Sequence, residues 1–249
     1  HQLEVEVAEL LAELLPSAEM VRFGKNGTDA TSAAIRLARA YTQKSHIALS
    51  GYHGWQDWSI GTTSRNSGIP SEVSDLSHRF EYNNLESLEA LFDEYPGQLA
   101  AVIMEPVVFD APKDQFLHKV KLLCQKHNAL LVFDEMITGF RFDLGGAQAY
   151  FGVTPDLTTI GKGMANGFPL SAVTGRKDVM AMMEDIFFSG TFGGETLSLA
   201  AAKATLTKLR DQKVPDYLWK LGEQLFRDVE SIIKKTNTGS IFSIVGFPC

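Results

Sequence analysis

The chain has 249 residues, length for between one and two domains, and its 45% hydrophobic and 21% charged residues suit a globular protein with a substantial core. A net charge of −7 argues against nucleic acid as a partner, because polyanion binding needs a basic stripe. No apolar run approaches the roughly 18 residues of a membrane-spanning helix, and two distant cysteines, Cys124 and Cys249, exclude a disulfide scaffold or a paired-cysteine zinc site.

In chain order, residues 1–16 carry acids where a secretory leader needs a basic start and an apolar centre. They read instead as an amphipathic helix with Leu3, Val7, Leu10, Leu11 and Leu14 on one face, stopped by Pro16. A chain starting at His1 reads as processed or partial, and the cytoplasm is the expected compartment. Residues 27–44 place Ala30, Ala33, Ala34, Leu37, Ala38 and Tyr41 at helical spacing, and 46–50 form a short strand closed by Gly51. Residues 65–75 are a candidate long loop. A buried strand at 99–104 stops at Glu105-Pro106, and a helix over 114–127 turns Phe116, Leu117, Val120, Leu123 and Cys124 inward. Further buried strands at 130–133 and 157–160 end in Asp134-Glu135 and Gly161-Lys162. Continuously apolar strands separated by helices indicate an α/β fold with a mainly parallel sheet covered on both faces.

Beyond Thr191 the pattern becomes helical, over 195–210 and 215–235, and a final apolar stretch at 241–247 reads as a strand without partners. The expected organisation is a large domain over residues 1–211 and the beginning of a smaller C-terminal domain over 212–249.

Ligands of open α/β sheets bind beyond the carboxyl ends of the strands, where Glu105, Asp134 and Lys162 fall. A lysine between glycines at a strand end is a candidate Schiff-base nucleophile if partly desolvated, against the plainer reading of a surface lysine in a turn. Gly24-Lys25-Asn26-Gly27-Thr28 opens a helix and offers free amides to a phosphate, against the plainer reading of an ordinary N-cap. It is no nucleotide P-loop, since the glycine required five residues before Gly24 is Glu19. Tyr52 after a strand could stack on a flat ring, and His53 could act as acid or base. Ser189-Gly190-Thr191 begins a second Gly-rich turn into a helix. A phosphate cradle, a stacking aromatic, a carboxylate and a Schiff-base lysine together are what pyridoxal phosphate needs.

The blocks VRFGKNGTDATSAAIRLARAYT, GYHGWQDW, LLVFDEMITGFR, PDLTTIGKGMANGFPLSAVTG and SGTFGGETLSLAAA resemble, in order, those of class III aminotransferases of fold type I, with the greatest likeness to the glutamate-1-semialdehyde aminomutase branch. The resemblance implies a Schiff base on Lys162, Asp134 on the pyridine nitrogen, and Tyr52 stacked on the ring. It implies that Asn26, Gly27 and Thr28 hold the phosphate, that His53 and Met136 line the ring's two faces, and that Glu105 sits near cofactor or substrate. Gly190 and Thr191 would reach the phosphate of a neighbouring subunit in a homodimer. Partners would be a small-molecule amino donor and a carbonyl acceptor, with an intramolecular aminomutase and an inactive cofactor-binding fragment as alternatives. Three departures stand out: Asn26 where the branch usually has Ser, Asp110 where it has Asn, and FGGETLSL in place of a short Ser-Gly-Asn-Pro run. An amino-terminal segment and the rest of the small domain are expected to be missing.

Overall fold

The computed structural model describes residues 1–249. The chain runs α1 (Gln2–Leu14), β1 (Met20–Gly24), α2 (Gly27–Thr42), β2 (His46–Ser50), α3 (Asp57–Ile60), α4 (Ser71–Ser74), β3 (Ser77–Arg79) and α5 (Leu85–Glu94). It continues with β4 (Leu99–Met104), α6 (Phe116–Lys126), β5 (Leu130–Asp134), α7 (Gly146–Tyr150), β6 (Leu157–Ile160), β7 (Ser171–Gly175), α8 (Lys177–Met180), α9 (Thr196–Asp211) and α10 (Val214–Thr236). The seven strands form one sheet in the order β1-β7-β6-β5-β4-β2-β3. Only β7 runs against its neighbours, pairing antiparallel with both β6 and β1.

Period-two alternation decides which face each strand residue serves. On β4, Ala101 and Ile103 pack with Ala30, Ala33, Ala34 and Leu37 of α2, while Val102 and Met104 face Leu88 of α5 and Leu117 and Val120 of α6. On β5, Leu130 and Val132 share the α2 side and Leu131 and Phe133 the other. Asp134, the next even residue, is thereby aimed at the α2 side. A third cluster joins Val7, Leu11 and Leu14 of α1 to Leu199, Ala202 and Leu206 of α9 over Ile160 and Ala172.

Three strands have no counterpart in the apolar pattern. β1 alternates exposed and half-buried residues, β3 has only three residues, and β7 reads SAVTG, small and polar yet wholly buried. Residues 241–247, expected as a strand, form turn and irregular chain, with Ile241, Phe242 and Val245 exposed. No partner strand lies beside them, and an isolated strand has no ladder to join. In α10 only Pro215 is buried; Trp219 anchors the helix by donating Nε1–H to Phe142 O at 2.9 Å and stacking on Tyr150. No helix is long and apolar enough to cross a membrane.

At the sheet end remote from Lys162, His46 Nδ1 lies 2.8 Å from His78 Nε2, and both rings stack on Tyr95. Burial lowers both histidine pKa values, helped by the Arg39 charge for His46 and by the His46 charge for His78; Glu94 and Asp75 oppose this at His78. Their folded pKa values lie below the unfolded value of about 6.5, so the unfolded chain takes up protons first as pH falls. Their stabilisation is complete above that value and is lost on the descent from it toward the folded values. The melting temperature is therefore expected to decline below pH ~6.5, and His78→Phe, which keeps a ring on Tyr95, to flatten that decline.

Candidate active site

Lys25, Asn26, Gly27, Thr28, Thr31, Tyr52, His53, Trp55, Asp134, Met136 and Lys162 come together around a cavity of about 610 Å³. One wall is the start of α2. Its opening amides, Gly27 and Thr28, have no intrahelical acceptor, and the helix dipole favours negative charge there. Asp29 turns back to accept from the amides of Lys25 at 3.0 Å and Asn26 at 2.7 Å, fixing the loop. Thr28 Oγ1 is buried without a hydrogen-bond partner. Gly54, at φ +104°, is needed beside it, because a Cβ there would come within 2.7 Å of that oxygen.

The opposite wall is Asp134, only 3% exposed. Its Oδ1 accepts from Met136 N at 3.2 Å and from Thr159 Oγ1 at 3.1 Å, and its Oδ2 lies 2.8 Å from His53 Nδ1. His53 Nε2, 3.1 Å from Ser50 O, must carry a proton, because a carbonyl can only accept. A second proton therefore sits between His53 Nδ1 and Asp134 Oδ2. The His53 side chain is fully buried, with Nδ1 against the Asp134 carboxylate. Thr159 escaped the sequence reading, although the pairing of Asp134 with Thr159 in parallel strands would have pointed to it.

Lys162 follows β6 in a single 3-10 turn, Lys162–Met164, with φ +41°. Holding a side chain in that left-handed region costs roughly 1 kcal/mol, strain of the kind that collects at functional sites. Lys162 is exposed on the cavity surface. Its ammonium has no hydrogen-bond partner in the chain. Met136 wedges beneath: a Cβ on Gly161 would fall 2.8 Å from its sulfur and one on Gly27 3.1 Å from it.

Lys162 and Met136 also line an adjoining cavity of about 650 Å³ with Glu105, Phe109, Ile137 and Arg141. Glu105 accepts from Tyr52 N at 3.1 Å, and burial raises its pKa, with the Asp134 charge adding to the rise. Tyr52 is 64% exposed at the cavity mouth. Asp110 is exposed on the loop after β4 and lines neither cavity. Gly190 and Thr191 are exposed and line a separate groove of about 460 Å³ with Thr28 and Arg36, rather than the Lys162 cavity of their own chain.

An α/β sheet that gathers a helix start, a buried carboxylate and a lysine at its strand ends has the architecture of fold type I pyridoxal-phosphate enzymes, and the structural likenesses agree. The chain belongs to the class-III aminotransferase family, whose model matches residues 1–244. It is 40% identical over 254 residues to the glutamate-1-semialdehyde 2,1-aminomutase of Acetivibrio thermocellus, covering 94% of this chain and 60% of that protein. It is 37% identical over 243 residues to the 3-aminobutyryl-CoA aminotransferase of Cloacimonas acidaminovorans, covering 95% and 58%. Among solved structures it resembles the PLP internal aldimine form of the FumI protein of Sphingopyxis sp. MTA144, with TM-score 0.90, 30% identity and coverage of 94% and 58%. The chain thus spans about three fifths of the length of its curated relatives.

Proposed function

We propose that the protein is a pyridoxal-phosphate-dependent aminotransferase that moves an amino group from a small-molecule donor to a carbonyl acceptor. The observation that carries this reading is one cavity bounded by the α2 start, the Asp134–His53 pair and the unpartnered Lys162 amine. The residues fit the cofactor. The Gly27 and Thr28 amides and the orphaned Thr28 hydroxyl suit its phosphate, and Asp134 suits a protonated ring nitrogen. Tyr52 supplies an aromatic face at the mouth, and Asn26 and Met136 complete the walls.

When bound, pyridoxal phosphate supplies an electron sink that stabilises the carbanion left when the donor's α-carbon loses a proton. Lys162 would hold the cofactor through its amine and, as a free amine, would carry the proton between the substrate carbon and the cofactor's C4′ carbon. Asp134, its Oδ1 held by Met136 N and Thr159, keeps negative charge where the ring nitrogen needs it. His53 fixes its rotation and shares a proton at Oδ2. Glu105, whose pKa burial raises, borders the adjoining cavity and is assigned to the side of cofactor or substrate. Gly190 and Thr191, which leave their own chain's cavity unlined, are assigned to the phosphate of a second subunit in a homodimer. Residues 1–211 are assigned to the cofactor domain and 212–249 to the beginning of a smaller one.

Turnover is expected to require two substrates. An amino donor with a separate keto-acid or aldehyde acceptor should give sustained product, and the donor alone a single turnover at most. Sustained conversion of one amino-carbonyl compound without an acceptor would instead establish the aminomutase, the reading favoured by the likeness to the Acetivibrio protein.

A further inference from the structure

One of the departures noted in the sequence, the FGGETLSL stretch, meets the loop of the α2 start in space. Lys25 stands beside Asn26, and Glu195 lies in the FGGETLSL stretch, 170 residues away, yet Lys25 Nζ is 2.6 Å from Glu195 Oε1. The same ammonium donates to Pro169 O at 2.8 Å and to Ser198 Oγ at 3.1 Å. An ammonium has three N–H donors, and all three are thereby committed inside the protein. Lys25, next to a phosphate-ready helix start, has no donor left for an anion. Its three acceptors lie on two other segments: Pro169, which lines the cavity, in the stretch following Lys162, and Glu195 and Ser198 at the start of α9. Glu195 also caps α9, accepting from Leu197 N at 2.9 Å and Ser198 N at 3.0 Å. The pair is shielded, with Lys25 17% and Glu195 31% exposed, so the solvent screening that weakens surface ion pairs is reduced here.

We propose that Lys25 and Glu195 form a positioning clamp that braces two walls of the cavity, the 24–28 loop and the 162–170 stretch, against the start of α9 behind them, and that Lys25 acts through these segments rather than on the cofactor's phosphate. The proposal rests on the pyridoxal-phosphate reading for its functional consequence, but the clamp itself is measurable without cofactor. Lys25 and Glu195 are positioning residues. The Glu195 carboxyl, held near a pKa of about 2 by Lys25 and Ser198, stays charged across the working range.

The test compares the purified protein with Lys25→Met, Glu195→Gln (whose amide oxygen still caps α9) and the double variant. Lys203→Met, which breaks an exposed ion pair to Glu6, serves as control. Pyridoxal phosphate Kd is measured by titration, and amide hydrogen exchange is followed in the cofactor-free protein. Each single variant should raise Kd about tenfold and speed exchange in residues 24–29 and 163–170, with the melting temperature little changed. The double variant should be no worse than either single, as for two halves of one contact, and Lys203→Met should change neither readout. Two results overturn the clamp: Kd raised by Lys25→Met but not by Glu195→Gln, which makes Lys25 a direct phosphate ligand, or exchange unchanged in both. A wild-type protein that does not bind pyridoxal phosphate overturns the cofactor reading instead, and exchange alone then decides whether the clamp exists.

Discussion

Lys162→Ala is expected to abolish amino transfer, a loss of about 10⁴-fold or more, because the proposed mechanism makes this one side chain both covalent anchor and proton carrier. The fold should survive. The Lys162 side chain is exposed and makes no hydrogen bond in the chain, so stability should stay within about 0.5 kcal/mol of wild type, as for surface substitutions generally. The α2 start proposed to hold the phosphate lies on a different element, so the variant should still bind the cofactor reversibly. Rates of each half-reaction, beside a melting curve and a cofactor titration, check all three statements together. Activity within tenfold of wild type would place the proton carrier elsewhere; Lys25, whose donors are all committed, is a poor substitute.

Asp134→Asn is expected to slow proton removal from the donor by about 10³-fold, the scale seen when a preorganised charge-stabilising group is lost, while sparing structure. The hydrogen-bond inventory explains the separation. Asn can offer its oxygen to Met136 N and Thr159 Oγ1, as Asp134 Oδ1 does. Its amide N–H₂ can then donate to His53 Nδ1, leaving that imidazole neutral with its remaining proton on Nε2, toward Ser50 O. Every buried polar group remains paired; the carboxylate's negative charge is gone, together with the proton it shared with His53. Cofactor content near wild type with a collapsed single-turnover rate is the predicted pattern, and a near-normal rate would refute the role given to Asp134.

The strands that carry the site were legible because they are buried on both faces: LAAVIM at 99–104 and LLVF at 130–133 have no polar residue to blur the pattern. The rule that ligands meet strand ends then located Glu105, Asp134 and Lys162. The edge of the sheet was not legible. β7 is buried through small side chains rather than large apolar ones, and β1 is half solvated, so neither has a hydrophobic signature. Nor could a one-dimensional pattern assign the side of Asp134 on which His53 lies, since 81 residues separate them. Lys25 was visible only as a member of a Gly-rich loop, and its commitment to Glu195 is a product of the tertiary fold.

The central claim is that Lys162 is the covalent anchor. Borohydride reduction of the protein mixed with pyridoxal phosphate, followed by peptide mass mapping, tests it most directly. The account predicts a single pyridoxyl group on the peptide carrying Lys162, and none there in Lys162→Ala. A label confined to other lysines, or no label at all, would contradict it.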